Sequence, residues 1–241
     1  AEALGADCIA VADNAHDGLL AAFAAIQATS HVEVATMALV CFARSPMVAA
    51  VAAWGLQEAA KGRFRLGVGP LIAPIMRDKY STPWLPPAPR MRDYIASLQA
   101  IFACWRNDVP LHYVGSHYRF TRQSAYNKPP SHSYRAPPLH LGAIGPHMTA
   151  LAGEATQGIM THPTNSSPEF IRERLLPHLA IGAARAGRQV GELDILVNPP
   201  LALGRSQHAI ERQRERWRAL LAILLSTPNY GTSLNLFGHP E

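Results

Sequence analysis

The chain has 241 residues, 48% of them hydrophobic and 16% charged, with a formal net charge of +5. That length supports one sizeable core over 1–241, as a large α/β domain or a barrel, and no run of about 18 apolar residues offers a membrane span. No basic stretch precedes a hydrophobic one at the start, so no signal peptide is expected.

Leu4 to Asp7 read as the end of a helix, closed at Gly5. Cys8 to Ala12 is a continuous apolar run suited to a buried parallel strand, and it ends abruptly in the polar cluster Asp13-Asn14-Ala15-His16-Asp17. A helix follows over Leu19 to Thr29, a strand over Val32 to Phe42, and a helix over Met47 to Ala60, opened by Ser45-Pro46. Phe64 to Gly69 is a third strand with a glycine exit. The segment at about 70–90 is rich in proline and forms an irregular excursion before a helix over Arg90 to Trp105. A second excursion at about 110–136 contains an alternating stretch, Leu111 to Phe120, that predicts a hairpin.

Leu139 to Ala143 is a short apolar strand, Gly145 ends it, and Pro146 suits the first position of a helix to about Thr156. Ile159 to Thr161 resumes as a strand. Then come a helix from Pro168 to Gly187, a strand over Asp194 to Pro199, and a basic helix from about Gln207 to Leu225. A strand that turns sharply into a helix aims free backbone N–H groups above the sheet, which makes Ala143–Pro146 an anion site suited to a phosphate. The alternation of strand and helix implies parallel strands with right-handed crossovers. No glycine-rich dinucleotide fingerprint follows the first strand, so a TIM (β/α)8 barrel is expected over a Rossmann sheet, with function at the C-terminal ends of the strands.

Cys8, Cys41 and Cys104 are far apart and each in an apolar setting, which fits buried thiols in a cytoplasmic protein, and no metal site is expected. The arginines at 172–188 and 205–218 lack aromatic interleaving and read as solvated helix faces. Nucleic acid is therefore not an expected partner, and a phosphorylated cofactor or acidic ligand is the simpler use of the positive balance.

Several stretches resemble the luciferase-like monooxygenase superfamily, in its branch using the deazaflavin coenzyme F-420. They are Gly62 to Gly69, Arg90-Met-Arg-Asp-Tyr94 with Trp105, Gly115-Ser-His-Tyr-Arg119, Leu141 to Pro146, Ala152 to Gly158, and Gly182 to Gly187. The resemblance implies a TIM barrel whose first strand and last strand-helix unit are absent here, leaving six of eight strands, in a fragment or in a shortened relative that closes differently. It implies F-420, with FMN as the alternative cofactor, and a flavin- or deazaflavin-dependent oxidoreductase that passes a hydride to or from a small organic substrate. An FMN-dependent monooxygenase and a catalytically silent flavin-binding relative are the rivals. A homodimer formed through barrel helices is expected.

The resemblance also places residues. Asp13 would hydrogen-bond the polar edge of the ring, with Asn14 beside it, and the other reading for both is helix capping. His16 is the nearest group able to move a proton near neutral pH, or else a surface histidine. Met37 and Ala38 match a strand end where relatives carry a non-proline cis peptide behind the ring. Ala143, Ile144, Gly145 and Pro146 match the phosphate turn, and Thr161 and His162 match the next strand end. One departure is Pro70-Leu-Ile-Ala-Pro-Ile-Met76, apolar where several relatives carry polar or acidic groups, which implies either an apolar pocket or a weakened activity.

Overall fold

The computed structural model describes residues 2–231 and 234. They form two compact units, one of Ala1–Gly142 with Ala155–Gly158, the other of Ala143–Glu154 with Ile159–Glu241.

The first unit opens with a 3-10 turn, Glu2–Leu4, and continues with β1 (Cys8–Val11), α1 (Gly18–Gln27), β2 (Glu33–Thr36), β3 (Leu39–Val40), α2 (Pro46–Ala59), β4 (Phe64–Gly69), α3 (Ala73–Asp78), α4 (Pro87–Asn107), β5 (Tyr113–Val114), β6 (Arg119–Phe120) and β7 (Leu139–Gly142). Its parallel strands lie in the order β1, β2, β4, β7, with β3 also on β4. Val34, Leu39, Phe64, Leu66, Val68 and Leu141 are fully buried in it, as apolar parallel strands must be. The expected strand over Val32 to Phe42 is therefore two strands. Val34 faces Phe64 but Leu39 faces Val68, so one extra residue is taken up at the break. There the Thr36 hydroxyl donates to the Gly67 carbonyl at 2.8 Å and accepts from the Gly67 N–H at 3.0 Å, standing in for the missing ladder bonds.

The irregular segment 110–136 is held from two helices. From α2, the Trp54 indole donates to the Pro130 carbonyl at 3.0 Å and the Gln57 amide to the Arg135 carbonyl at 3.0 Å. From α4, the buried Asp93 carboxylate accepts from the Tyr113 hydroxyl and from the N–H groups of His117 and Tyr118, which fixes the β5–β6 hairpin. A Cβ at Gly115 would overlap the Asp93 carboxylate, so only glycine fits the hairpin turn. The two motifs Arg90 to Tyr94 and Gly115 to Arg119 are thus two sides of one clamp.

The second unit contains α5 (Pro146–Ala155), β8 (Gly158–Met160), α6 (Pro168–Phe170), α7 (Leu176–Arg185), β9 (Asp194–Leu196), α8 (Gln207–Leu225) and α9 (Pro228–Gly231), with Gly158 and Ala155 belonging to the first. The helix expected over Pro168 to Gly187 contains a π-helical stretch, Ile171–Leu175. Pro177 explains it: its ring leaves no room for the carbonyl four residues back, and the wider turn makes that room. Gly153 on α5 and Gly182 on α7 mark a close helix contact, since a Cβ at Gly182 would overlap the Ala150 carbonyl. On α8, Arg214 and Arg218 pair with Glu211 and Glu215, as expected for a solvated face. No helix among the described residues is long and apolar enough to cross a membrane.

Candidate functional site

At the exit of β1, both oxygens of Asp13 are taken. Its Oδ1 accepts from the Gly18 N–H at 2.8 Å and its Oδ2 from the Val40 N–H at 2.9 Å and the Arg44 guanidinium at 2.7 Å. A second guanidinium nitrogen lies 3.4 Å from Oδ1, so the four acceptor directions of the carboxylate are occupied. The Asp13 side chain is only 4% exposed. Asp13 thus holds the Gly18 N–H at the start of α1, while the N-cap of that helix is Asp17. Arg44 also pairs with Asp17 at 2.7 Å. Burial pushes the Asp17 carboxyl up, and the guanidinium with the Leu20 and Leu19 N–H groups outweighs it, holding the carboxyl below its ordinary range.

This cluster shapes the loop that carries Asn14 and His16. Asn14 donates its N–H to the His16 carbonyl at 3.2 Å, Lys79 donates to the Asn14 carbonyl at 3.3 Å, and both side chains are exposed. The Met37–Ala38 peptide bond is cis, at the residues where the resemblance placed it. Ala38 Cβ lies 3.3 Å from where a Cβ of Gly69 would be, a tight approach, and 3.4 Å from one at Gly142, an ordinary contact. Just past β4, Leu71 takes a left-handed backbone with φ of 63°, unusual for a bulky residue. Nearby, Phe42 packs edge-on against Trp84 and Tyr94, and the Arg90 guanidinium lies 4.2 Å from its ring centroid while donating to the Tyr118 hydroxyl at 3.0 Å. Tyr118 and Trp84 are thus part of an aromatic cluster, and Tyr80 lies under Lys79. The buried Tyr94 hydroxyl has no hydrogen-bond partner among the described residues, and burial pushes its pKa up.

In the second unit, Ala143, Ile144, Gly145 and Pro146 form the turn into α5. The Gly145 carbonyl accepts from both the N–H and the hydroxyl of Thr149 at 3.0 Å, which makes Gly145 the cap residue. Pro146 has no N–H to leave unpaired, and the next amides at the helix start point outward without intrahelical acceptors. A Cβ at Gly145 would meet nothing within 4 Å, and Gly145 is not among the positive-φ glycines. Gly145, Pro146 and His147 are exposed.

Thr161 and His162 follow β8. The Thr161 hydroxyl accepts from the Asn198 N–H at 2.9 Å and pairs with the Ser166 hydroxyl at 2.6 Å, so it is engaged inside the unit. His162 Nδ1 accepts from the Thr164 N–H at 3.4 Å and contacts its hydroxyl at 2.9 Å. A nitrogen that accepts a backbone N–H carries no proton, so in the neutral ring the proton is on Nε2. Burial lowers the His162 pKa to about 4 and keeps the ring neutral at pH 7. The ring stacks on Tyr230, with centroids 4.6 Å apart and planes 9° from parallel. Arg44, Asp93 and Asn165 are structural partners that sequence reasoning did not single out. Asn165, in His162-Pro-Thr-Asn165 after a strand, had the clearest signal, because short polar side chains there close turns.

Comparison with known proteins adds what geometry alone does not. An uncharacterized protein of Mycobacterium tuberculosis is 33% identical over 234 residues, covering 95% of this chain and 68% of that protein. The structure of coenzyme F-420-dependent tetrahydromethanopterin reductase from Methanopyrus kandleri matches with a TM-score of 0.74 at 19% identity, over 98% of this chain and 76% of that one. The oxygenating constituent of 3,6-diketocamphane monooxygenase from Pseudomonas putida, in complex with FMN, matches with a TM-score of 0.61 at 17% identity, over 80% and 58%. Likeness at these identities is one of fold, and it supports the α/β, parallel-sheet architecture with TIM-barrel-like neighbours. The family model for luciferase-like monooxygenases matches residues 1–240, and the chain belongs to that family.

Proposed function

We propose that the chain is a flavin- or deazaflavin-dependent oxidoreductase acting on a small organic substrate, with F-420 as cofactor and FMN as the alternative. The observation that carries this is the open turn Ala143–Pro146 at the start of α5. A Cβ at Gly145 would stand in free space, and that is room a phosphate can take against backbone N–H groups. The residues present therefore fit a phosphorylated cofactor. Bound there, the cofactor supplies the hydride chemistry, while the protein supplies binding, orientation and proton handling.

Ile144 and Gly145 would bind the phosphate through their N–H groups, with His162 as a neutral Nε2–H donor. Thr161 would act by bracing this strand end, because its hydroxyl is already engaged. At the other group of residues, Met37 and Ala38 would back the ring. Asp13 would act by fixing Arg44 and the 13–18 loop, which presents Asn14 and His16. His16 would move the proton that accompanies hydride transfer. The apolar Pro70–Met76 favours an apolar substrate, and it also favours the second reading, a silent flavin binder.

We further assign the protein to the cytoplasm and to a homodimer. Leu20 and Phe23 on α1 with Val48 and Val51 on α2 are exposed apolar residues of the kind an interface covers. Sedimentation should show a dimer, and a clean monomer overturns that assignment. Fluorescence titration with F-420 and with FMN tests the main reading. Binding of either supports it, F-420 binding the tighter. No binding of either, or tight binding without turnover across a broad substrate screen, overturns the enzyme reading. Where turnover is found, His16→Ala should lower it about a hundredfold with cofactor affinity nearly unchanged.

A further inference from the structure

Asn165 is 1% exposed, and its side-chain amide joins Ala143 to His162, both in the second unit. Its Oδ1 accepts from the His162 N–H at 2.6 Å, and its Nδ2 donates to the Ala143 carbonyl at 3.1 Å. A backbone N–H can only donate and a carbonyl can only accept, so the two bonds together settle which end of the amide is oxygen. The turn that carries Asn165 is itself rigid. His162 caps Pro163–Asn165, and the Ser166 hydroxyl donates toward the His162 and Asn198 carbonyls at 2.8 and 2.9 Å.

A trans peptide unit holds its C=O and its N–H on opposite sides. Drawing the Ala143 carbonyl onto the buried Asn165 therefore turns the Ile144 N–H away from Asn165. Without that bond the Ala143–Ile144 plane is free to rotate, and the N–H loses its direction. We propose that Asn165 is the positioning residue of the Ala143–Pro146 turn, aiming the Ile144 N–H at the phosphate ester of a bound cofactor. The proposal rests on reading that turn as the phosphate site. Asn165 acts through Ala143 and does not itself reach the ligand.

The test compares each phosphorylated cofactor with the same ring lacking its phosphate: FMN against riboflavin, and F-420 against the deazaflavin stripped of phosphate and tail. Affinities are read by fluorescence on the whole chain, and the ratio within each pair is independent of how much of a variant folds. Asn165→Asp keeps the acceptor for His162 and sets a carboxylate oxygen against the Ala143 carbonyl. Asn165→Ala removes both bonds. Each variant should lower the phosphorylated-to-stripped ratio about tenfold, the order expected for one hydrogen bond to a charged group. Unchanged ratios overturn the proposal, and so does equal weakening of both members of a pair, which marks Asn165 as structural only. Gly145→Leu separates the two layers. If it lowers the ratio and the Asn165 variants do not, the phosphate site stands and the role of Asn165 falls. If none of the three lowers it, the phosphate site falls as well.

Discussion

The exit of β1 and the turn into α5 show two opposite ways to end a strand. At Asp13 the carboxylate is surrounded: two backbone N–H groups and the Arg44 guanidinium use all of it, and little of it meets solvent. At Gly145 the backbone is bare, and a side chain added there would meet nothing. The first kind of end holds the fold through its saturated hydrogen bonds. The second kind is open to a ligand and contributes little to stability. A polar residue at a strand end is therefore not evidence of contact with a cofactor until its hydrogen bonds are accounted for.

The largest expected effect breaks the first end. Asp13→Ala leaves Arg44 half-paired and strands two backbone donors, so it should cost at least about 3 kcal/mol of unfolding free energy, measured by urea denaturation. A stability loss under about 1 kcal/mol together with a sharp loss of cofactor affinity would reverse the comparison and restore Asp13 to direct contact with the ring.

Gly145→Leu sharpens the second end. Its φ is ordinary and its surroundings are empty, so the melting temperature should stay close to that of the parent. Cofactor affinity should fall about tenfold, or about 1.4 kcal/mol. Unchanged affinity would move the phosphate elsewhere.

The most gradual effect concerns pH. The folded-state pKa of His162 is lowered to about 4 by burial, below its ordinary value of 6.5. The unfolded chain then binds a proton that the folded chain refuses, so stability falls as pH drops from about 6.5 to about 4 and is flat in this respect below. The slope cannot exceed one proton, about 1.4 kcal/mol per pH unit. His162→Gln, measured by denaturation across that range, should flatten it. The hydrogen-bonded Asp93 adds a second loss at lower pH: burial pushes its carboxyl up, the Tyr113 hydroxyl and the His117 and Tyr118 N–H groups outweigh this, and its stabilisation disappears as pH falls through the depressed pKa.

Much of the architecture was legible because hydrophobic period and capping chemistry are local. β4 and α8 match their expected bounds, Phe64–Gly69 and Gln207–Leu225. Ser45-Pro46 marked the start of α2, and the hairpin was visible in the alternation of Leu111 to Phe120. The split of Val32 to Phe42 was not legible from the local pattern, since no glycine or proline marks a break within it. The break depends on how β4 lies beside them.

The sequence, with the family resemblance it carries, determined the family, most of the strands and helices, the turn at Gly145, and the place of the cis bond at Met37–Ala38. Only the tertiary structure decided what the polar residues do. Asp13, Thr161 and Asn165 each have several possible hydrogen-bond partners, and partners as far away as Arg44 and Asn198 are 31 and 37 residues distant along the chain. Local patterns carry backbone conformation because period and steric limits act over a few residues. The saturation of a buried carboxylate or hydroxyl depends on which distant groups arrive within about 3 Å, and that is set by packing.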